Sequence, residues 1–205
     1  MYDIDLWDTS KATINQLKSA GRKVICYFSA GSYEDWRPDK TRFPASIQGN
    51  KLDDWAGEWW LDIRRLDILG PIMRDRLDLA KNKSCDGVEP DNIDVYTQVN
   101  GGGFRITYQD QLTYNTWLAQ EAHARDLSIG LKNDLDQVRD LVSHFDWAVN
   151  EQCWEYNECN TLQPFITANK AVFNCEYKTC PSILASIDQL ILRSYHNVRC
   201  LYLSN

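Results

Sequence analysis

Four carboxylates stand within nine residues of one another in the stretch Cys85-Asp86-Gly87-Val88-Glu89-Pro90-Asp91-Asn92-Ile93-Asp94, and no Lys or Arg interrupts them. A run of like charge is ordinarily a solvated face. Here it follows a long helical pattern, and Cys85, Gly87 and Val88 are small or apolar, which reads as a short buried strand entering a turn. Pro90 cannot donate to a ladder, so the strand is expected to stop near Glu89. If strand geometry persists to Asp91, then Gly87, Glu89 and Asp91 share one face. Carboxylates at the carboxyl end of a strand are well placed, because parallel α/β proteins build their sites there.

The second candidate is Glu151, which closes the run Asp146-Trp147-Ala148-Val149-Asn150-Glu151. Trp147, Val149 and Glu151 have the same strand parity, so an apolar face runs up to a single acid. That placement suits a general acid; the alternative is a structural acid paired with Lys132 or an Arg. Glu155 and Glu158 lie past the strand end and fit a loop. Two carboxyl groups flanking a sugar linkage are the minimum for glycoside hydrolysis. One protonates the leaving oxygen, and the other attacks the anomeric carbon or activates water. Asp91 and Glu151 are the candidates for these roles. Asp86, Glu89, Asp91 and Asp94 do not match the EF-hand spacing of a calcium loop. With three His and no close CxxC pair, zinc is not expected either, nor is any cofactor.

The elements that must position these acids alternate between two periods. Tyr2–Asp8 reads as a strand and Lys11–Ala20 as a helix ended by Gly21. Lys23–Ala30 is a nearly continuous apolar run, as in a strand covered on both faces. A loop is expected over Gly31–Asn50, then the aromatic segment Trp55–Asp62 and a helix over Leu69–Lys81. Beyond the acidic strand, Gln98–Gly103 is a Gly-rich loop without phosphate-loop spacing. A helix over Asp110–Arg125 is expected to turn Leu112, Trp117, Leu118 and Ala122 inward. Ser128–Asp134, Asp146–Glu151, Lys170–Tyr177 and Asp188–Tyr195 read as strands. The helices between them are expected over Leu135–Phe145, Leu162–Lys170 and Pro181–Ile187. Seven strands alternating with helices imply a parallel sheet. Polar residues gather at the strand ends, which favours a (β/α)8 barrel over a doubly wound sheet; Leu6-Trp7-Asp8-Thr9-Ser10 is no nucleotide-binding turn.

The chain has 205 residues, enough for one substantial domain spanning 1–205. Its formal net charge of −7 disfavours nucleic acid and anionic membranes and suits a cationic or neutral partner. No apolar run reaches the roughly 20 residues of a membrane helix. Eight Trp supply flat faces that could stack on sugar rings, although for any single one a core position is the ordinary reading. Of seven Cys, Cys26, Cys85 and Cys175 fall in strand-like runs, where buried thiols are common. Cys153, Cys159, Cys180 and Cys200 fall at strand ends or in loops, where disulfides could form. Asn82-Lys83-Ser84 matches a glycosylation acceptor, meaningful only in a secreted protein. The opening Met1-Tyr2-Asp3-Ile4-Asp5 shows no signal peptide.

Several long motifs carry a family resemblance, in order from Tyr2 to Cys180: YDIDLWDTS, GRKVICYFSAGSYEDWRPD, GEWWLDIR, CDGVEPDNID, AHARDLSIGLKNDLDQ, FDWAVNEQCWEYNEC and KAVFNCEY. The sequence resembles glycoside-hydrolase family 114, the endo-α-1,4-polygalactosaminidases, which are (β/α)8 barrels. The resemblance implies Asp91 as the catalytic Asp and Glu151 as the catalytic Glu. Asp91 is preferred over Asp86 and Glu89. It puts binding roles on Glu89, Asn92, Lys132, Asn133 and Glu176, and Asp86, Tyr27 and Trp154 complete the expected substrate contacts. It further implies a Cys153–Cys159 disulfide and an endo-acting hydrolase of α-1,4-linked galactosamine; apart from the resemblance, Cys180 and Cys200 are expected as a second pair. The expected partner is a cationic or amino-sugar polysaccharide, and the protein is expected to be a secreted or cell-surface monomer.

Family members carry a further strand and a signal ahead of YDIDLWD, so the barrel is expected to be incomplete at its N-terminus. They also have an apolar residue where Cys175 stands. A non-catalytic carbohydrate-binding barrel or an inactive truncated homologue is the competing reading, and a nucleotide-using α/β enzyme, lacking a phosphate loop, is a third.

Overall fold

The computed structural model describes residues 1–177 and, for the backbone, 198–202. The chain divides into two compact units, Met1–Ile129 and Gly130–Asn205. In the first, β1 (Tyr2–Asp5) is followed by α1 (Lys11–Ser19), whose N-terminus is capped by the Ser10 hydroxyl accepting from the Thr13 N–H at 3.1 Å. The apolar run becomes β2 (Val24–Ser29), parallel to β1 and buried on both faces except at Tyr27. Then come β3 (Ser32–Glu34), β4 (Gln48–Lys51) and β5 (Glu58–Leu61), which form a separate antiparallel sheet in the order β3-β5-β4. The helix α2 (Leu66–Lys83) returns the chain to β6 (Gly87–Asp91), parallel to β2. After α3 (Tyr108–His123), β7 (Ser128–Lys132) pairs with β6 through Gly87 and Val88.

In the second unit the same alternation continues with α4 (Val138–Leu141), β8 (Trp147–Glu151), α5 (Gln163–Thr167), β9 (Val172–Glu176) and β10 (Val198–Tyr202). Successive strands from β7 to β10 pair in parallel. The expected helix Pro181–Ile187 and strand Asp188–Tyr195 lie outside the described residues, and so does Cys180. Among the described residues, no helix is long and apolar enough to cross a membrane.

Three expectations are corrected. The segment Gly31–Asn50 is not all loop, because β3 and most of β4 lie in it. Short strands of this kind leave little alternation to read, and Tyr33 packs on Phe43 and Trp59 across the small sheet instead. The helix α3 buries Gln111, Tyr114, Asn115, Leu118, Ala119 and Ala122, while Leu112 and Trp117 are only half-buried. The reason is polar. Strand ends carry carbonyls that need donors once buried. The Tyr114 hydroxyl donates to Ala30 O at 2.7 Å, and the Asn115 amide donates to Ile93 O at 2.9 Å. Burial raises the Tyr114 phenol well above its ordinary value, so it remains a donor.

The third correction concerns Cys26 and Cys85, which are not thiols. They form a disulfide with Cα atoms 6.0 Å apart, joining β2 to the residues just ahead of β6. Cys153 and Cys159 are bonded as expected, at a Cα separation of 4.8 Å, and Cys175 is a buried free thiol.

A buried and a half-buried cation fasten the first unit. Arg76 on α2, 2% exposed, grips Asp39 with two nitrogens at 2.8 and 2.9 Å and donates to Ser29 O at 2.5 Å, with its guanidinium over Trp7 and Phe43. The Lys83 ammonium donates to the carbonyls of Leu6, Trp7 and Thr9. The Gly-rich loop serves contact rather than phosphate binding. Gly102, at φ +64, lies so close to β5 that a Cβ would come within 2.6 Å of Trp60 Cβ.

Replacing Cys26 and Cys85 together by Ala should cost about 3–4 kcal/mol in denaturant unfolding, because the bond closes a loop of 59 residues. Gly31→Ala should also be destabilising, by about 3 kcal/mol, since a Cβ there overlaps the Asn92 carbonyl. Its loss is read as a lower denaturant midpoint at unchanged slope.

Candidate active site

β6 does not stop at Glu89; it runs to Asp91. Asp91 O accepts from the N–H groups of Ala30 and Gly31, so residues 87, 89 and 91 bond toward β2. Pro90 points its missing donor the other way, beyond the pairs that join β6 to β7, and no ladder bond is forfeited. Gly87, Glu89 and Asp91 therefore share a face with Ile25, Tyr27 and Ser29, their register partners on β2.

Asp91 is half-buried, and Tyr27 donates its hydroxyl to Asp91 Oδ2 at 3.0 Å. Glu89 lies on the same face and is buried. Asn92, at φ +60, turns its amide back to donate to Ser29 Oγ at 2.9 Å and Ser32 Oγ at 3.2 Å. The two serine hydroxyls are 2.6 Å apart, and Ser32 donates to Glu58 Oε2 at 2.8 Å. Arg37 joins Glu34 at 2.8 Å and Asp5 at 2.7 Å, with its guanidinium over Trp7. Burial pushes the Glu58 carboxyl up to about 6. The Ser32 hydrogen bond opposes the rise, and the nearby charges of Glu34 and Asp91 add to it.

Asp86 is not brought to this end. It precedes β6, about 16 Å back along the strand from Asp91 at strand rise. There it accepts from the Val24 N–H at 3.0 Å and pairs with Lys18 and Lys23, both at 3.3 Å. Burial would raise its carboxyl, but these partners hold it below the usual carboxylate range.

In the second unit, Glu151 is half-buried at the end of β8. Lys132, buried at the end of β7, places its ammonium 3.5 Å from Glu151 Oε2. Asn133 donates to that same oxygen at 3.1 Å, and its own side-chain oxygen accepts from the Glu151 N–H at 2.9 Å and the Asn150 amide at 3.2 Å. Asn133 and Asp134 are both left-handed, at φ +50 and +46, and this sharp exit from β7 turns the Asn133 side chain onto Glu151. The Tyr177 hydroxyl donates to the other oxygen, Glu151 Oε1. Burial and then this bond raise the Tyr177 phenol, keeping it protonated. Cys175, the register partner of Glu151, has its thiol pushed up by burial and by the Glu151 charge.

Glu176 is buried and accepts from the Trp154 N–H at 2.9 Å and the Asn174 amide at 2.6 Å. Being one residue out of step with Cys175, it points to the opposite face from Glu151. It anchors the loop closed by Cys153–Cys159, which presents Trp154 at 36% exposure and Tyr156 at 62%.

The structure thus brings Tyr27, Glu89 and Asn92 to Asp91, and Lys132 and Asn133 to Glu151. Glu58, Ser32 and Tyr177 were not foreseen. Tyr177 could have been found by continuing the parity of Phe173 and Cys175; Glu58 stands on an antiparallel strand whose position no spacing predicted. Among the described residues, no group of three His, Cys, Asp or Glu is arranged to hold a metal ion.

The model of the glycoside-hydrolase family GH114 matches residues 1–194. The structure of Aspergillus fumigatus Ega3 in complex with galactosamine is 45% identical, at a TM-score of 0.87, covering 98% of this chain and 82% of that one. The glycoside hydrolase domain of PelA from Pseudomonas aeruginosa is 12% identical, at a TM-score of 0.72 over 98% of this chain and 85% of its own, a likeness of fold alone. The trehalulose synthase MutB from Pseudomonas mesoacidophila is likewise similar in fold, 11% identical at a TM-score of 0.60, covering 94% of this chain and 51% of that one. No curated protein matches the chain. The fold is of the α/β, (β/α)8-barrel class. Strand-end carboxylates, the matched family model and the shared fold lead to one assignment: the chain belongs to glycoside-hydrolase family GH114.

Proposed function

We propose that this glycoside hydrolase cleaves α-1,4-linked galactosamine polymers internally, with Asp91 and Glu151 as its working carboxyl pair and residues 1–205 acting as one domain. The observation that carries the reading is that both acids close parallel strands at their carboxyl ends, each accepting a tyrosine hydroxyl. The substrate class is supported by the 45% identity to a protein captured with galactosamine and by the net charge of −7, which favours an ammonium-bearing polymer. Two disulfides fit an oxidising, extracellular setting.

In this reading Glu151 gives its proton to the oxygen leaving the anomeric carbon. Lys132, Asn133 and Tyr177 hold the carboxyl in place and take up the charge left on it. Asp91, oriented by Tyr27, supports the positive charge that develops on the sugar and either attacks the anomeric carbon, its ester then released by water, or activates the water that attacks directly. Glu89 and Asn92 are the residues of the first unit, and Trp154 that of the second, assigned to substrate contact, the last with an exposed aromatic face for a sugar ring. Asp86 is left out, since its partners hold it at the far end of β6. Glu176 acts through Trp154.

Asp91→Asn and Glu151→Gln should each lower reducing-end release from partly deacetylated galactosamine polymer by about 10³-fold, while oligomer binding changes little. An activated substrate with a good leaving group should restore part of the first step in Glu151→Gln and none in Asp91→Asn. Full activity in both variants contradicts the two-carboxyl mechanism. Polymer binding without cleavage by the unmodified protein points to a carbohydrate-binding barrel instead.

A further inference from the structure

Glu58 opens β5 with its carboxyl buried, 6% exposed, and neither proton transfer nor attack on the sugar requires it. A buried carboxyl is costly unless donors meet it. The donor here is Ser32, and the bonds continue from it. Ser32 Oγ touches Ser29 Oγ, and the Asn92 amide donates to both hydroxyls. A chain of hydrogen bonds therefore runs from the antiparallel sheet to the residue that follows Asp91. That residue is held in a left-handed turn, with its carbonyl packed where Gly31 has no Cβ.

The charges that act most on Glu58 are Glu34 across the β3–β5 pair, Asp91 from β6, and Arg37 from the turn beyond β3. Two of the three are acids, and Arg37 is shared with Glu34 and Asp5. We propose that Glu58 is a positioning residue for Asp91: through Ser32 and Asn92 it fixes the turn that aims Asp91, and its ionised carboxyl sets a second negative charge beside the first. The proposal rests on Asp91 being the working carboxylate. Like charges held close repel, so a step that consumes the Asp91 charge is favoured while Glu58 is ionised. Because the folded Glu58 carboxyl titrates at about 6, that advantage is present above this pH and disappears as pH falls through it.

The test is Glu58→Gln, which keeps an acceptor for Ser32 and removes the charge. Wild-type kcat/KM should rise through about pH 6. The variant should lack that rise and stay near the low-pH wild-type level, roughly tenfold below wild type at pH 7.5, the equivalent of one pK unit of coupling. Ser32→Ala, which removes the donor and keeps the charge, should move the inflection to higher pH. Carboxyl carbon NMR reads the coupling without any turnover: the Glu58 midpoint should fall in Asp91→Asn, where one neighbouring negative charge is gone. Coincident pH profiles for wild type and Glu58→Gln, or a Glu58 midpoint unmoved in Asp91→Asn, overturn the proposal. Full activity in Asp91→Asn overturns the assignment beneath it, and the NMR titration distinguishes that failure from a failure of the coupling.

Discussion

The Asp91 end of the molecule depends on how the carboxyl ends of β2 and β6 are fastened together. Asp91 O receives two backbone N–H groups, from Ala30 and Gly31, and three neighbouring carbonyls find side-chain donors. Ser29 O is taken by Arg76, Ala30 O by Tyr114 and Ile93 O by Asn115. A strand end that carries a site cannot leave such groups unpaired once it is buried. Buried polar side chains on α2 and α3 therefore support the chemistry from behind. Their cost in apolar packing is offset by the precision with which the Asp91 side chain is set.

The two carboxyl ends repeat one device. Asn92 follows Asp91 at φ +60 and turns back onto Ser29 and Ser32; Asn133 follows Lys132 at φ +50 and turns onto Glu151. Asparagine tolerates the left-handed region better than other residues with side chains, and its amide can both donate and accept. In each case the turn that ends a strand also supplies a polar contact to the site. A tyrosine hydroxyl completes both sets. Two carboxyls are thus given defined orientations by neutral groups, with Lys132 as a cation at one of them.

Much of this was legible because strands have a period of two. Gly87, Glu89 and Asp91 on one face, and Trp147, Val149 and Glu151 on another, follow from parity alone. What parity does not reveal is the direction in which a backbone donor points, and so Pro90 was expected to end a strand that it leaves intact. Hydrophobic periodicity placed Leu118 and Ala122 inside α3 correctly but not Leu112 and Trp117, since Tyr114 and Asn115 are buried to serve carbonyls and Gln111 to hold the Asn115 side chain. The Cys26–Cys85 bond spans 59 residues with nothing local to announce it, whereas Cys153 and Cys159 stand six apart in a motif that the family resemblance covered. Glu58 was hidden for a related reason. Its partners come from a small antiparallel sheet whose short strands leave almost no pattern, and its importance arises only from the burial and neighbours it meets there.

The central claim is that Asp91 and Glu151 act on one linkage, and the most direct measurement is the separation of their carboxyl groups in a crystal of the protein with a galactosamine oligomer bound. The two carboxyls should flank one glycosidic oxygen at a separation between about 5 and 9.5 Å, the short end of that span belonging to retention and the long end to inversion. A linkage seated against only one of them, with the other beyond that span, contradicts the account.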